Sequence, residues 1–339
     1  MIYPNTKKAI EVIEQAISNQ DIYGASYSFI GLDENLYAYN GFQDDHKNPL
    51  LPEMMYDLAS VTKVVATTTR IFQLMAAKKV NLDDTIGDFI KDSASPEITI
   101  KELLMHTSGF IADFENVHEM SRTELIQKVK SAKPIEKDKA IYSDLNYIYL
   151  GWIIEKIDQE NLANTLRKHV FLPLKMLHTT YNPPSELKKI CLPTEYQSDR
   201  SGIVRGQVHD YKAYLLDGVS GHAGLFSTLS DLTQFLRILL TGGKFEDKQV
   251  FPKVFYDYLR NPVFRQNDRA LGWQLWDQNK NMFWHSGFTG TSIAFDLDKK
   301  QGFVCLTNRI YPTRENKKWI ADRRAALGEF FGQKEQVNK

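Results

Sequence analysis

Cysteine is scarce in this chain of 339 residues: only Cys191 and Cys305 occur, and neither stands in the CxxC or Cys/His spacing used by zinc and redox sites. Thiols so far apart in sequence read as buried hydrophobes rather than as a disulfide. Excess charge of one sign is lacking too. The 42 lysines and arginines balance 42 aspartates and glutamates, without blocks of like charge, so nothing calls for nucleic acid or an anionic membrane as partner. No run approaches the roughly 18 to 20 apolar residues of a membrane span. The N-terminus MIYPNTKKAIEVIEQAI carries Ile10, Val12, Ile13 and Ile17 near one face, which is an amphipathic helix rather than the apolar core of a secretion signal. As written the chain is expected to be cytoplasmic, and extracytoplasmic if a leader has been removed. The histidines, His209 beside Asp210 included, show no HExxH or similar spacing. No internal repeat or low-complexity linker is present.

What the chain has is apolar mass: 42% of its residues are hydrophobic, and its length exceeds the roughly 250 to 300 residues that one core serves. GASYSFIGLDENLYAYNGF alternates apolar and polar residues around a polar turn, as an antiparallel hairpin does. From Ser60 to about Lys79 the period becomes helical and largely apolar. Residues 80–254 are rich in helical patterns broken by Pro- or Gly-marked loops. LGWQLWDQ, MFWHSGF, TSIAFDLD and GFVCLTNRI then read as strands joined by short turns, and KKWIADRRAALGEFF as a closing helix. The expected fold class is α/β in the α+β sense: an antiparallel β-sheet built from both ends of the chain (1–79 plus 255–339), flanked by helices, with an inserted, mostly helical lobe (80–254), forming one composite unit.

Three clusters carry chemistry. In DLASVTK, Ser60 and Lys63 lie three residues apart where the helical pattern begins, so both fall on one face of the first turn. A serine hydroxyl needs a base, and a desolvated lysine amine serves as one. Free N–H groups at the helix start favour developing negative charge. The spacing alone is weak, since Ser185-Glu-Leu-Lys188 satisfies it in a polar loop. The second cluster, Tyr142-Ser143-Asp144, sits in a break before the LNYIYLGWIIEKI helix, where a phenol can reach the nucleophile. Its plain reading is a buried tyrosine and a helix N-cap aspartate. The third, Trp284-His285-Ser286-Gly287-Phe288, lies on a strand, where Gly287 admits close approach to the backbone and the next N–H can face a carbonyl oxygen. His285 there is a donor or partial cation, or else a satisfied strand histidine.

In order, SVTK, YSD and HSG resemble the three motifs of serine β-lactamases and penicillin-binding proteins, S-x-x-K, Y-x-N or S-x-N, and K-T-G. The class C-like branch, with its esterases and D-amino-acid peptidases, is the nearest match. ITIKELLMHTSGF, SGHAGLFSTLSDLTQF and LGWQLW extend the likeness over roughly residues 24–309. The resemblance implies a β-lactamase/transpeptidase-like sheet and helical lobe with the site between them. It implies that Ser60 is acylated, that Lys63 deprotonates it or keeps the tyrosine anionic, and that Tyr142 shuttles protons. The backbone N–H groups of Ser60 and Phe288 become the oxyanion hole, and Asp144, His285, Ser286 and Gly287 bind substrate. Neither metal nor cofactor is needed.

Two departures stand out. Asp144 replaces an amide, which favours a charged lysine and moves base duty towards Tyr142. His285-Ser286 replaces Lys-Thr, and a mostly neutral histidine lacks the lysine's fixed charge for a β-lactam carboxylate. The expected activity is hydrolysis of small esters, amides or D-amino-acid peptides through a Ser60 acyl-enzyme, with weak β-lactam turnover. The alternative is a catalytically weak penicillin- or peptidoglycan-binding protein. His106 and His222 read as loop pins, Trp273, Trp276 and Trp284 as core or as a substrate wall, and Arg309 as a carboxylate contact or a surface residue.

Overall fold

The computed structural model describes residues 4–136, 140–200, 202–246 and 248–333. Its largest sheet has eight antiparallel strands drawn from the two ends of the chain. In chain order these are β1 (Gly24–Ile30), β2 (Asn35–Gly41), β3 (Arg265–Gln266), β4 (Arg269–Ala270), β5 (Trp273–Leu275), β6 (Met282–Ser286), β7 (Ser292–Asp296) and β8 (Gln301–Leu306). They lie side by side in the order β3-β4-β5-β6-β7-β8-β1-β2. β1 and β2 form a hairpin whose turn is closed by Gly31 N–H donating to Glu34 O at 3.0 Å.

Period-two alternation explains why the sheet sits in the middle of the molecule. Along β8, Phe303 and Cys305 enter one apolar cluster while Val304 and Leu306 enter the other, because successive strand side chains point to opposite faces. The first cluster is covered by the terminal helices α1 (Pro4–Ser18) and α4 (Lys318–Phe331), through Ala9, Ile13, Trp319, Leu327 and Phe330. The second is covered by the rest of the chain, which includes α2 (Asp144–Asp158) and α3 (Leu229–Leu240). α3 presses directly on the sheet: a Cβ at Gly302 would come within 3.0 Å of Leu236 Cδ1, and Ser28 Oγ meets Thr233 Oγ1 at 2.7 Å.

A smaller three-stranded sheet joins Met55–Asp57, Leu225–Thr228 and Thr180–Tyr181. It delivers the chain to Ser60. From there the backbone departs from the single helix expected by periodicity: a 3-10 turn (Ala59–Val61) opens into a π-helix (Lys63–Thr68) before regular α-helix resumes at Thr69. The physical reason lies in the β-branched run, in which two threonine hydroxyls take backbone partners of their own. Thr69 Oγ1 donates to Val64 O at 3.0 Å and Thr67 Oγ1 to Gly221 O at 2.7 Å. Cys191 and Cys305 are buried and unbridged. Among the described residues no helix is long and apolar enough to cross a membrane.

Candidate active site

The turn before Ser60 is held by one buried carboxylate. Asp57 accepts the Ala59 N–H at 2.8 Å and the His209 N–H at 2.7 Å. This fixes Ala59 at φ +46°, a left-handed conformation unusual for a residue with a Cβ. Burial pushes the Asp57 carboxyl up even so.

Lys63 is fully buried, and its ammonium has three acceptors for its three N–H bonds: Asp144 Oδ1 at 2.7 Å, Ser60 Oγ at 3.0 Å and His222 O at 3.0 Å. Burial opposes its charge, but Asp144 and then Tyr142 outweigh that and hold Lys63 above the ordinary lysine range. Burial works against the Asp144 charge as well, yet Lys63, Lys212 and His222 hold its carboxyl well below the usual range. Asp144 opens α2 immediately after the true N-cap, Ser143, whose Oγ accepts the Leu145 N–H. The capping role therefore belongs to Ser143 and leaves Asp144 free for Lys63.

Lys212, which sequence reasoning passed over, extends the network. It lies 3.2 Å from Asp144 Oδ2, 2.8 Å from Asp113 Oδ1 and 3.7 Å from Asp210 Oδ2. Asp210 also meets His222 Nε2 at 2.7 Å. Among the described residues, the one grouping with metal-ligand spacing is Asp144, Asp210 and His222. Its carboxylates already face the Lys63 and Lys212 ammonium groups, a donor set that suits cationic side chains and not an added cation.

Tyr142 is partly exposed and stands between four other side chains. Its ring centroid lies 4.5 Å from that of His106, 6.3 Å from that of His285, 5.1 Å from Lys63 Nζ and 5.0 Å from Arg269 Cζ. His106 accepts the Ser143 N–H at Nδ1, so its proton sits on Nε2. Burial and the nearby Arg269 keep it neutral.

The third motif ends β6. His285 is 2% exposed, and Nδ1 donates to Ser286 O at 3.0 Å. Burial first, then Arg269 and Lys63, drive its pKa well below the usual value. Of the two sequence readings of His285, donor or partial cation, burial and these charges favour the neutral donor. Beyond it, residues 287–291 are stitched to the nucleophile turn by Thr289 Oγ1 donating to Asp57 O at 2.7 Å and Thr291 Oγ1 to Leu58 O at 3.0 Å. A Cβ on Gly287 would meet Thr291 Oγ1 at 2.2 Å and Leu58 O at 2.4 Å. Only glycine permits this approach, which sets Ser286, Gly287 and Phe288 beside Ser60 on one cleft wall.

The cleft holds about 850 Å³, and Ser60, Tyr142, Asp144, His285, Ser286, Gly287 and Phe288 all line it. At one end Phe288 stacks on His209 beneath Arg309 and Arg314, whose Cζ atoms lie 4.8 and 5.6 Å from its ring. Arg314 pairs with Glu195, as His209 does. Arg309 is buried, not a surface residue. Arg323, donating to Gly287 O at 2.9 Å, is pulled down to about 10 by burial and by Arg309. Neither Arg309 nor Arg323 has an ion-pair partner among the described residues. Trp273, Trp276 and Trp284 are buried in the core and stay off the cleft wall, while Ser185 begins a short exposed helix far along the chain from these groups.

The Beta-lactamase family profile matches residues 9–327. A putative D-alanyl-D-alanine carboxypeptidase of Escherichia coli K12 is 31% identical over 75% of this chain and 69% of its own length. An N-acetylmuramyl-L-alanine amidase of Bacillus subtilis strain 168 is 30% identical over 75% and 68%. Among solved structures, a class C β-lactamase superposes with a TM-score of 0.77 at 16% identity over 98% and 99% of the two chains. A β-lactamase/D-alanine carboxypeptidase from Pseudomonas syringae does so at 0.74, with 17% identity over 94% and 98%. The sheet order, the inserted helices and these matches agree: the chain belongs to the Beta-lactamase family and is a serine hydrolase of that family.

Proposed function

We propose that the protein hydrolyses an amide bond in a carboxylate-bearing, wall-type peptide through an acyl-enzyme on Ser60. The observation that carries this reading is the Lys63 ammonium, which binds Ser60 Oγ and the Asp144 carboxylate together at the floor of the cleft.

With its charge held by Asp144, Lys63 fixes Ser60 and offsets negative charge. Tyr142, acting as the phenolate, is then the group that takes the Ser60 proton and becomes the phenol. Ser60 Oγ attacks the carbonyl carbon, and the Ser60 and Phe288 N–H groups receive the oxyanion. Tyr142 returns the proton to the departing amine, the C–N bond breaks, and water later frees the acyl group. Asp144 acts through Lys63, while Ser286 and Gly287 line the substrate backbone.

Substrate choice follows from charge. His285 is neutral, so it offers a β-lactam carboxylate no fixed cation. Arg309 and Arg323, without carboxylates of their own, suit a substrate carboxylate at the Phe288 end. A peptide fits this pattern, as the relatives named carboxypeptidase and amidase suggest; small esters fit the nucleophile but not the arginines.

The test is product analysis by mass spectrometry with a peptide ending in D-Ala-D-Ala and with an N-acetylmuramyl-L-alanyl peptide, on native protein and Ser60→Ala. Cleavage of one of these amides, lost in the variant, is expected. Turnover of p-nitrophenyl acetate with neither amide cleaved would overturn the peptide reading.

A further inference from the structure

Arg269 belongs to none of the three motifs, yet it enters the site. It stands on the two-residue strand β4, is 6% exposed, and places its guanidinium carbon 5.0 Å from the centre of the Tyr142 ring. A cation over an aromatic face is attracted by the ring's electrons, and the attraction grows as the phenol oxygen gains negative charge. Its one ionic neighbour among the described residues is Asp268, 3.5 Å from Nε and partly exposed. Asp268 and Tyr142 are comparably exposed, at 36% and 38%, so water screens both contacts to a similar degree. Arg269 Nη1 is buried and has no hydrogen-bond partner.

The charges facing Tyr142 are few. Lys63, from the π-helix, is countered by Asp144 at the start of α2. His106, at the end of the Ile100–Met105 helix, and His285, on β6, are both neutral. Tyr147, from α2, bonds Thr68 Oγ1 at 3.3 Å. Arg269 is therefore the fixed positive charge near Tyr142 that no adjacent buried carboxylate cancels, and it lines the same cleft as the histidine that replaces the usual third-motif lysine.

We infer that Arg269 is a positioning residue that takes over the missing lysine's charge, holding the Tyr142 ring and favouring the phenolate form of its oxygen, the form that takes the Ser60 proton. The inference rests on the reading of Ser60 and Tyr142 given above. Arg269 lines the cleft, as Arg309 does, and its place over the Tyr142 ring is what assigns it to Tyr142 and not to the substrate. The arginines at the Phe288 end remain for that.

The test compares Arg269→Lys and Arg269→Gln with native protein on a neutral ester and on an ester bearing a carboxylate. With Gln, kcat should fall ten- to a hundredfold on both substrates while KM stays within about twofold, and Lys should recover most of the loss. A rise in KM confined to the anionic ester would make Arg269 a substrate anchor and overturn the inference. Equal impairment of both variants, or impairment of neither, would overturn it as well. Should Arg269→Gln fail to fold, Arg269→Lys decides alone: a kcat as low as that of Tyr142→Phe contradicts the inference, and one within about threefold of native supports it. Ester turnover that survives in Ser60→Ala would instead remove the acyl-enzyme reading itself.

Discussion

Lys63 and Asp144 have charge states that depend on each other, and the sign of each shift sets the range of the pair. The Asp144 carboxyl is depressed in the fold, so its contribution is complete above the unfolded value of about 4 and is lost as pH falls through the folded one. Lys63 is raised, so its contribution is complete below about 10.4 and is lost as pH rises through its folded value. The pair is intact across the neutral range. Asp144→Asn should cost about 3 kcal/mol there, since it leaves a buried ammonium with only neutral partners, and the cost should shrink below pH 4. Urea unfolding of both proteins at pH 3 and pH 7 checks this. Gly287→Ala drives a Cβ into Leu58 O and Thr291 Oγ1. Activity should drop at least a hundredfold, as expected when a reacting group is misplaced by about 1 Å, with steady-state ester kinetics as the readout.

Among the elements, the segment through Ser60 shows where periodicity succeeds and where it misleads. The spacing of Val64, Val65, Thr68, Ile71, Phe72, Leu74 and Met75 revealed a largely apolar helix, and all but the partly buried Met75 are buried. The π-turn was hidden because hydroxyl-to-carbonyl bonds from Thr67 and Thr69, and not side-chain hydrophobicity, set the local winding. Where regular α-helix resumes the segment is anchored by Arg70, whose Nε and Nη2 bond Asp158 at 2.9 and 2.7 Å, with both side chains buried. Arg70→Met should destabilise the fold by about 3 to 5 kcal/mol by leaving Asp158 uncompensated, read as a lower denaturation midpoint. Because Arg70 and Thr165 depress the Asp158 carboxyl against the effect of burial, the native protein should lose this stabilisation as pH falls below about 4.

For the whole molecule, the sheet built from both chain ends was legible because GASYSFI alternates and GFVCLTN holds a short continuous apolar run, both strand patterns; the burial of Ser26 and Ser28 on β1 was not. The three motifs were legible because Ser60/Lys63, Tyr142/Asp144 and His285/Gly287 each have local spacing. Lys212, Asp113, Asp210 and Arg269 were not. They are ordinary charged residues in loops and a short edge strand, and only the fold brings them against Asp144 and Tyr142. A lone arginine heading the apolar run ALGWQLW was the faint signal for Arg269. Replacement of the third-motif lysine by a buried neutral His285 predicts that nitrocefin will be hydrolysed at least a hundredfold more slowly than an amide or ester substrate is turned over, a shortfall of about 2.7 kcal/mol in transition-state stabilisation. Parallel kcat/KM measurements check it.

The central claim is that Ser60 is the nucleophile. Its most direct test is reaction of native protein and Ser60→Ala with a fluorophosphonate, followed by intact-mass and peptide mapping. One adduct, on Ser60 and absent from the variant, is the predicted result. An adduct that persists in Ser60→Ala, or that maps to another residue of the native protein, would contradict the account.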